Sequence, residues 1–267
     1  MRQDVQAETS DVFRAARLTE ATPLLRALRL FRLALAMTGA FVVALCLFPI
    51  CRDATRLRLK AGVARSVVNA LGVRLDPDLT HAVPGALIVA NHISWIDIFV
   101  INAVLPAAFV SKEEVRRWPL VGLLAARSET VFLRRGSRGH ARIINQQVAD
   151  ILANGNYVAV FPEGTTTDGT HLLHFHAALI QPALAVGRPV LPVAISYWEA
   201  DGSRSLAPGY VGDISLAQCL RTIIGRKGLV ARVATCPALG LRGEDRRQVA
   251  ALAREAICAG ALLPNLE

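Results

Sequence analysis

Residues 86–99 carry the sequence ALIVANHISWIDIF, in which an uncharged apolar run is followed by a short polar loop and a second apolar stretch. The run 86–90 contains only Ala, Leu, Ile and Val, which is typical of a strand buried on both faces of a sheet. In α/β proteins, ligands bind at the sheet edge where such strands end. The segment therefore predicts a buried strand that presents its following loop at a ligand-binding edge.

Apolar runs of similar length alternate with helical patterns along the rest of the chain. For example, residues 139–153 place Ile144, Val148 and Ile151 on one helical face and end before Gly155, a suitable C-cap. This alternation predicts an α/β fold with a mainly parallel sheet flanked by helices. The predicted strands are 86–90, 108–111, 130–133, 157–161, 190–196 and 229–235, and the predicted helices are 139–153, 177–186 and 245–259.

The composition indicates contact with lipid. Of the 267 residues, 53% are hydrophobic and 19% charged, and the net charge is +9. This is apolar for a soluble enzyme, and the positive charge suits an anionic membrane or nucleic acid. We expect no nucleic-acid partner, because aromatic residues are only 6% and do not interleave with basic residues as a stacking platform. The 5 cysteines form no C-x-x-C pair, which suits free thiols in a reducing compartment.

The uncharged run 33–51, LALAMTGAFVVALCLFPIC, predicts a membrane-anchoring helix of about 28 Å, just long enough to span a bilayer core. Equal basic flanks lack the one-sided excess of a spanning helix. We therefore favour a monotopic anchor with both ends on one anionic face, over a spanning helix or a buried core helix. Pro49 should kink or stop the helix. The predicted organisation is a basic and polar segment 1–32, a membrane-associated helix with its basic flank 33–65, and a catalytic domain 76–267 that opens with the turn-rich linker 76–85.

His92 and Asp97 are candidate partners in the loop after the first strand. A neutral imidazole can take a proton from an alcohol, and a carboxylate beside it would fix its tautomer and stabilise the imidazolium. Residues five apart on one helix point about 140° away from each other, so His92 must lie in a loop to meet Asp97. We expect Ser94 to cap a helix that starts at Trp95. Ser94 and Asp97 equally fit a capping box, in which Asp97 merely satisfies a backbone donor.

Two other polar segments could bind an anion. In FPEGTTTDGT, residues 161–170, the amides of 164–166 and the Thr hydroxyls could cradle a head group, and Glu163 is expected to hold an arginine or to bond a substrate hydroxyl. In TVFLRRGSRGH, residues 130–140, Arg134, Arg135 and Arg138 could bind phosphate with their guanidinium forks. An ordinary turn and a solvated basic loop remain the alternatives.

Four segments resemble, in order and approximate spacing, the motifs of the glycerolipid acyltransferases. They are Asn91-His92-x4-Asp97, FLRR at 132–135, FPEGT at 161–165 and VLPV at 190–193. The likeness covers residues 86–196 and is greatest to the bacterial 1-acylglycerol-3-phosphate acyltransferases. It implies that an acyl group passes from an acyl carrier protein or coenzyme A thioester to the sn-2 hydroxyl of 1-acylglycerol-3-phosphate, giving phosphatidic acid.

The resemblance also implies roles for individual residues. His92 would be the general base and Asp97 its orienting partner, with no metal, no cofactor and no covalent intermediate. The expected location is the bacterial inner membrane, with the catalytic domain on the cytoplasmic face. The implied substrate-binding set is Arg134, Arg135, Glu163, Gly164, Thr165, Thr166 and Pro192.

Two positions depart from the family pattern. Thr166 stands where an arginine is common, and His176 stands where a lysine or arginine often follows. Arg134, where a family member often has Asp, would restore some positive charge. Because fewer basic side chains than the family pattern has are present to bind a phosphate, another lyso-lipid such as lyso-ornithine lipid is the alternative acceptor.

Other classes of function are represented more weakly. His171, His174 and His176 with Asp168 form an H-x2-H-x-H pattern that would allow a metal site, although His171 would not share a strand face with the other two. The serine-hydrolase elbow, the P-loop and the H-E-x-x-H zinc motif do not occur. A non-enzymatic, basic membrane-binding module is the remaining alternative.

Overall fold

The computed structural model describes residues 20–118, 121–133, 138–240 and 243–263, and gives the backbone alone at 121 and 138–141. Within this part, the strands form one seven-stranded sheet in the order β1-β7-β6-β2-β5-β3-β4. Only the β6–β7 pair is antiparallel among these pairings. The strands are β1 Arg74–Asp78, β2 Leu87–Ala90, β3 Ala107–Lys112, β4 Val131–Leu133, β5 Tyr157–Val160, β6 Val190–Trp198 and β7 Val230–Thr235.

The six predicted strands are confirmed within one or two residues at each end, and β1 was missed. The sequence of β1, RLDPD, is partly exposed, and the strand pairs with β7 at the edge of the sheet. Charged residues and proline are tolerated at an edge, where a strand does not need an apolar run. The predicted linker 76–85 is therefore wrong in its first three residues, which belong to β1.

Helices cover both faces of the sheet, as the alternation predicts. The predicted helix 177–186 divides into a 3₁₀ turn, Ala177–Leu179, and the short α6, because Pro182 fits only the first turn of a helix. A further 3₁₀ turn spans Glu113–Arg117. The α-helices are α1 Pro23–Val42, α2 Asp53–Ala70, α3 Asp97–Val104, α4 Val121–Arg127, α5 Arg138–Ala153, α6 Gln181–Ala185, α7 Leu216–Ile224 and α8 Arg246–Gly260.

Each face of the sheet has its own apolar core. On one face, α2, α3 and α7 contribute residues such as Val67, Ile101 and Ile223. On the other face, α5 and α8 contribute residues such as Leu152 and Ile257. Side chains of one strand alternate between these cores, so position in a strand decides which face a residue serves. Both faces of β2 and β6 are fully buried, which explains why their sequences read as continuous apolar runs.

The apolar N-terminal segment forms a helix that is long and apolar enough to cross a membrane, judged by length and composition. It starts at Pro23, ten residues before the apolar run, and continues through a π-helical turn, Val43–Leu47. The chain then reverses over residues 48–52, where Pro49 lies, and returns as α2, which packs against α1. The two helices therefore form a hairpin.

The first two turns of α1 are fastened to the α/β domain. The Ala21 N–H donates to the Gly225 carbonyl at 2.7 Å. Arg29, only 7% exposed, donates to the carbonyls of Ile224 at 2.8 Å and Arg226 at 2.5 Å. These carbonyls lie at the end of α7, where a cation also meets the negative end of the helix dipole. The hairpin is thus joined to the domain by specific polar contacts as well as by apolar packing.

Gly72 keeps the space that the Arg29 guanidinium occupies. It has a φ of 79°, and an added Cβ would overlap the guanidinium. We expect Gly72→Ala to lower the free energy of unfolding by about 1–3 kcal/mol, from backbone strain and displacement of Arg29. Thermal and urea unfolding in detergent would measure this. Gly62→Ala in α2 is the control, since a Cβ there meets nothing within 4 Å. Equal stabilities of the two variants would contradict this account of α1 docking.

Candidate active site

The loop between β2 and α3 brings His92 and Asp97 together. The His92 Nδ1 lies 2.9 Å from the Asp97 Oδ2. The Asp97 side chain is fully buried, whereas that of His92 is 19% exposed. The predicted contact between the two is confirmed, and it forms because His92 lies in the loop and Asp97 is the first residue of α3. With Nδ1 facing Asp97, the Nε2 is the ring nitrogen left to accept a proton.

The predicted cap at Ser94 is wrong. The helix starts at Asp97 rather than Trp95, and its N-cap, Ile96, makes no side-chain cap. Instead, Asp97 Oδ2 accepts the N–H groups of Ile93 at 2.7 Å and Ser94 at 2.8 Å. Half of the capping box therefore forms, and it uses the same oxygen that contacts His92. The capping and imidazole-orienting roles of Asp97 coexist in one carboxylate.

Tyr197, which sequence reasoning missed, bonds the other oxygen of this carboxylate. Its hydroxyl donates to Asp97 Oδ1 at 2.5 Å, and its side chain is buried at the end of β6. Burial, followed by the charge of Asp97, raises the pKa of Tyr197 well above its ordinary value. The one available signal was a tyrosine on a strand with a mainly apolar sequence, since a buried phenol usually needs a hydrogen-bond partner.

Asn91 fastens the start of the loop to the neighbouring strand. Its Nδ2 donates to the Ile195 carbonyl at 2.9 Å, and its Oδ1 accepts the Ile195 N–H at 2.8 Å. The Asn91 side chain thus replaces a backbone partner where β2 has ended and β6 continues. Because Asn91 is buried and both polar atoms of its amide are bonded, the position of the next residue, His92, is well defined.

The loop after β5 holds the backbone of His92. Glu163 is 5% exposed, and its Oε1 accepts the His92 N–H at 2.8 Å while its Oε2 accepts the Leu173 N–H at 2.8 Å. On the other side, the Thr167 N–H donates to the His92 carbonyl at 2.8 Å. Burial raises the pKa of the Glu163 carboxyl, and the two backbone N–H groups partly offset the rise. The expected pairing of Glu163 with an arginine is not observed among the described side chains.

Phe161 supports the imidazole from one side. Its ring is stacked on that of His92, with centroids 3.9 Å apart and planes at 8°. A second phenylalanine, Phe109 of β3, packs against Phe161 at 5.9 Å. The imidazole is therefore held by a hydrogen bond at one edge and by an aromatic face, and it keeps only one nitrogen for chemistry.

The remaining residues of the 161–170 loop are partly used by the protein itself. The Gly164 N–H closes a turn onto the Phe161 carbonyl at 3.1 Å, and the predicted use of this amide in an anion cradle stays a prediction. Gly164 has a φ of 69°, which explains the glycine at this position. The Thr166 hydroxyl donates to the Tyr210 carbonyl, whereas Thr165 is exposed. Of the predicted head-group ligands here, Thr165 remains the most accessible.

Pro192 does not lie beside His92 and Asp97. It is buried in β6 opposite Val89, and its neighbours Leu191 and Val193 belong to the core that contains Tyr197. By strand alternation, Pro192 faces the other core, and its predicted role in substrate binding stays a prediction. Its missing N–H is tolerated because the β6–β7 ladder begins one residue later, at Val193. Arg134 and Arg135 lie outside the described residues, and only the backbone of Arg138 is described.

The three histidines of the H-x2-H-x-H pattern do not form one cluster. His171 is 3.4 Å from the Asp168 carboxylate, while the exposed rings of His174 and His176 meet edge to face at 5.8 Å. Within the described part of the chain, no group of three or more His, Cys, Asp or Glu side chains could hold a metal ion. The His176 N–H donates to the Pro162 carbonyl, which places this residue beside the Glu163 turn.

The chain is similar in sequence to known acyltransferases. A sequence model of the family described as Acyltransferase matches residues 73–196. The 1-acyl-sn-glycerol-3-phosphate acyltransferase of Neisseria meningitidis is 39% identical over 196 residues, covering 72% of this chain and 76% of that protein. The lyso-ornithine lipid O-acyltransferase of Pseudomonas aeruginosa is 44% identical over 170 residues, covering 63% and 65% respectively. The chain belongs to the acyltransferase family.

A solved structure supports the fold independently. The crystal structure of the 1-acyl-sn-glycerophosphate acyltransferase from Thermotoga maritima superposes with a TM-score of 0.63 at 20% identity, covering 88% of this chain and 96% of that one. The two proteins share a fold. Because the chain belongs to this family, it is an enzyme, and the alternative of a non-enzymatic membrane-binding module is wrong.

The two hydrogen bonds of Glu163, to the backbone N–H groups of His92 and Leu173, form a brace whose contribution to the site can be tested. In Glu163→Gln one amide N–H, of His92 or Leu173, would face the NH2 group instead of an oxygen, so we expect kcat to fall about tenfold or more. Since burial raises the pKa of Glu163, wild-type stability should fall as pH rises above about 4.5, and the variant should lack this slope. Acyl-transfer assays and urea unfolding over pH would measure both. Glu255→Gln on the exposed face of α8 is the control; equal loss in both variants would contradict the brace.

Proposed function

We propose that this acyltransferase moves a fatty acyl group from an acyl carrier protein or coenzyme A thioester to the sn-2 hydroxyl of 1-acylglycerol-3-phosphate. The observation that carries the proposal is the His92–Asp97 contact at 2.9 Å, which leaves the imidazole Nε2 as the ring nitrogen that can accept a proton. The relatives from two Neisseria species, both named 1-acyl-sn-glycerol-3-phosphate acyltransferases, support this choice of acceptor.

The proposed reaction needs one proton transfer in each direction. His92 Nε2 takes the proton from the acceptor hydroxyl while the hydroxyl oxygen attacks the thioester carbonyl. Asp97 stabilises the resulting imidazolium through Nδ1, and backbone amides or arginine side chains stabilise the oxyanion. The C–S bond then breaks, the thiolate receives the proton from His92, and the products are the ester and a free thiol. In this reaction the acyl group passes directly to the acceptor, without a covalent acyl-enzyme intermediate.

Lyso-ornithine lipid is the second candidate acceptor. At the position where the family commonly has an arginine, the Thr166 hydroxyl is already bonded to the Tyr210 carbonyl. This loop therefore offers less positive charge to a phosphate than the family pattern would. The relative that is 44% identical carries the name lyso-ornithine lipid O-acyltransferase, which supports the same alternative.

We further propose that the α1–α2 hairpin lies on the cytoplasmic face of the bacterial inner membrane without crossing it. The start of α1 is bonded to Gly225, and Leu71 at the end of α2 is fully buried, so both ends of the hairpin return to the domain. The outer face of α1 is apolar at helical spacing and solvent-exposed, as expected of an in-plane anchor. This face consists of Leu24, Leu28, Phe31, Leu35 and Val42, and Leu45 of the following π-helical turn continues it.

A loop beside the site presents a second exposed apolar group, which we include in the proposed lipid surface. Within 206–216, four large apolar side chains are exposed, and the Tyr210 N–H of this loop donates to the Ile93 carbonyl at 3.0 Å. The following helix, α7, packs against α1. The exposed side chains are Leu206, Val211, Ile214 and Leu216.

The acceptor and the base can be tested in one assay. Purified enzyme in mixed micelles receives a labelled acyl thioester with lysophosphatidate or lyso-ornithine lipid in parallel. We expect labelled phosphatidic acid, and we expect His92→Ala to lower its rate by about 10²- to 10⁴-fold, because the hydroxyl loses its general base.

Two results would contradict these assignments. Product from lyso-ornithine lipid alone would exclude the first-choice acceptor and support the second. Unchanged acylation by His92→Ala would remove the general base from the mechanism. His81→Ala is the matched control, since His81 is exposed on the loop after β1, at the opposite edge of the sheet from His92, and should retain the wild-type rate.

The membrane surface can be tested separately. Replacing Phe31 and Leu35 by serine should weaken binding to anionic phospholipid vesicles by at least about tenfold, because each side chain contributes about 1.5–3 kcal/mol when buried in lipid. Vesicle sedimentation would measure binding, and a short-chain soluble lysolipid would show that the site still works. Leu252→Ser on α8, at the other sheet face, should bind like the wild type. Unchanged binding of the double variant would exclude α1 as the anchor.

A further inference from the structure

Tyr197 is attached to the oxygen of Asp97 that does not contact His92. The Asp97 Oδ2 serves His92 Nδ1 and the amides of Ile93 and Ser94, while Oδ1 receives the Tyr197 hydroxyl at 2.5 Å. The phenol, the carboxylate and the imidazole thus form one chain of hydrogen bonds across two elements of the fold. Tyr197 is 100 residues from Asp97 in sequence and belongs to a different strand from the one that leads into the loop.

The surroundings make this hydroxyl a permanent donor. Tyr197 is 1% exposed, and its ring packs in the first core among aliphatic side chains. Burial and the neighbouring carboxylate raise the pKa of the phenol well above its ordinary value, so it keeps its proton wherever the enzyme works. For packing alone a phenylalanine would fill the same space. Packing therefore does not account for the hydroxyl, whose hydrogen bond to Asp97 distinguishes this tyrosine from a phenylalanine.

Two residues of β6 hold the two ends of the candidate catalytic loop. Ile195 binds the Asn91 side chain with its backbone, and Tyr197, two residues later, binds the Asp97 carboxylate. Since both attachments come from one strand, which pairs with β7 along this stretch, they fix the loop relative to the sheet. The plane of the Asp97 carboxylate, and with it the direction of Oδ2 toward His92, is set by this second attachment.

A donor on Oδ1 also moderates the charge that Oδ2 presents. A hydrogen bond to a carboxylate draws electron density toward the donor, so the imidazole meets a weaker negative charge. Without this donor, the carboxylate would present its full charge to the imidazole. The phenol balances orientation of the imidazole against excessive stabilisation of its charged form.

We propose that Tyr197 is a positioning residue for acyl transfer, which acts through Asp97 to orient the His92 imidazole and to moderate the negative charge that the carboxylate presents to it. The proposal rests on the proposed role of His92 as general base. Tyr197 itself contacts neither substrate, and its influence reaches the reacting atoms only through the carboxylate.

The test is Tyr197→Phe, which keeps the ring and removes the hydroxyl. We expect kcat to fall about 10- to 100-fold with little change in KM, the effect of losing one hydrogen bond to a charged group. The acid limb of the kcat profile should move to higher pH, because the less screened Asp97 holds the His92 proton more tightly. Wild-type kcat with an unmoved acid limb would overturn the proposal, as would a rise in KM alone.

A double-mutant cycle shows whether Tyr197 acts through Asp97. In an Asp97→Asn background, adding Tyr197→Phe should cost at most about two- to threefold, since the carboxylate through which it acts is already gone. A loss in that background as large as in the wild type would mean that Tyr197 acts by another route and would overturn the proposal. Tyr157→Phe is the matched control, because Tyr157 begins β5 at the opposite edge of the sheet and should keep wild-type kcat.

A second measurement does not depend on Tyr197→Phe folding well. Fluorotyrosine incorporated in a Tyr157→Phe, Tyr210→Phe background leaves Tyr197 as the one labelled tyrosine of the 3 in the chain. A fluorinated phenol is a stronger donor, so the acid limb should move to lower pH, opposite to the phenylalanine variant. No movement would count against the proposal. A fully active His92→Ala variant would refute the proposed general base itself. An inactive His92→Ala variant, together with an acid limb that does not move in the Tyr197 variants, would refute only the role of Tyr197.

Discussion

The carboxylate of Asp97 is the interaction on which the candidate site depends. It is fully buried and accepts four hydrogen bonds, from His92 Nδ1, the amides of Ile93 and Ser94, and the Tyr197 hydroxyl. A buried carboxylate without such donors would cost several kcal/mol. The loop must therefore turn its amides toward Asp97, and this turn brings the preceding residue, His92, against the same oxygen. The contact of imidazole and carboxylate is thus a consequence of satisfying a buried charge.

Sheet order supplies the other supports. β5, β2 and β6 are parallel neighbours, so the residues after their carboxyl ends meet at one edge. Glu163, 71 residues from His92, binds its amide, and Phe161 stacks on its ring. From β6, Ile195 and Tyr197 hold the two ends of the loop. No single segment could hold the imidazole on three sides, and the parallel arrangement allows three distant segments to do so.

These contacts explain what could be predicted from sequence and what could not. The strands β2, β5 and β6 were readable because burial on both faces forces an apolar run, whereas β1 at the sheet edge, RLDPD, has no such signature. The proximity of His92 to Asp97 follows from five-residue spacing and loop geometry. Tyr197 could not be assigned, since its partner is 100 residues away and nothing local marks the pairing. The contacts of Glu163 could not be read from sequence either, because its oxygens accept the backbone N–H groups of His92 and Leu173; acceptor binding by Glu163 stays a prediction.

The hairpin and the candidate site are joined by one helix. α2 packs along α3, the helix that begins at Asp97, and its Arg65 donates to the Ala103 carbonyl in the last turn of α3 at 2.8 Å. α1, which bears the exposed apolar face, packs on α2. With the hairpin on lipid as proposed, α2 lies between that surface and the helix of Asp97. A lyso-lipid whose acyl chain stays in the bilayer would then bring its hydroxyl to His92 by a short displacement at head-group depth. The buried carboxylate that orders the loop would in this way also fix the height of the base above the membrane.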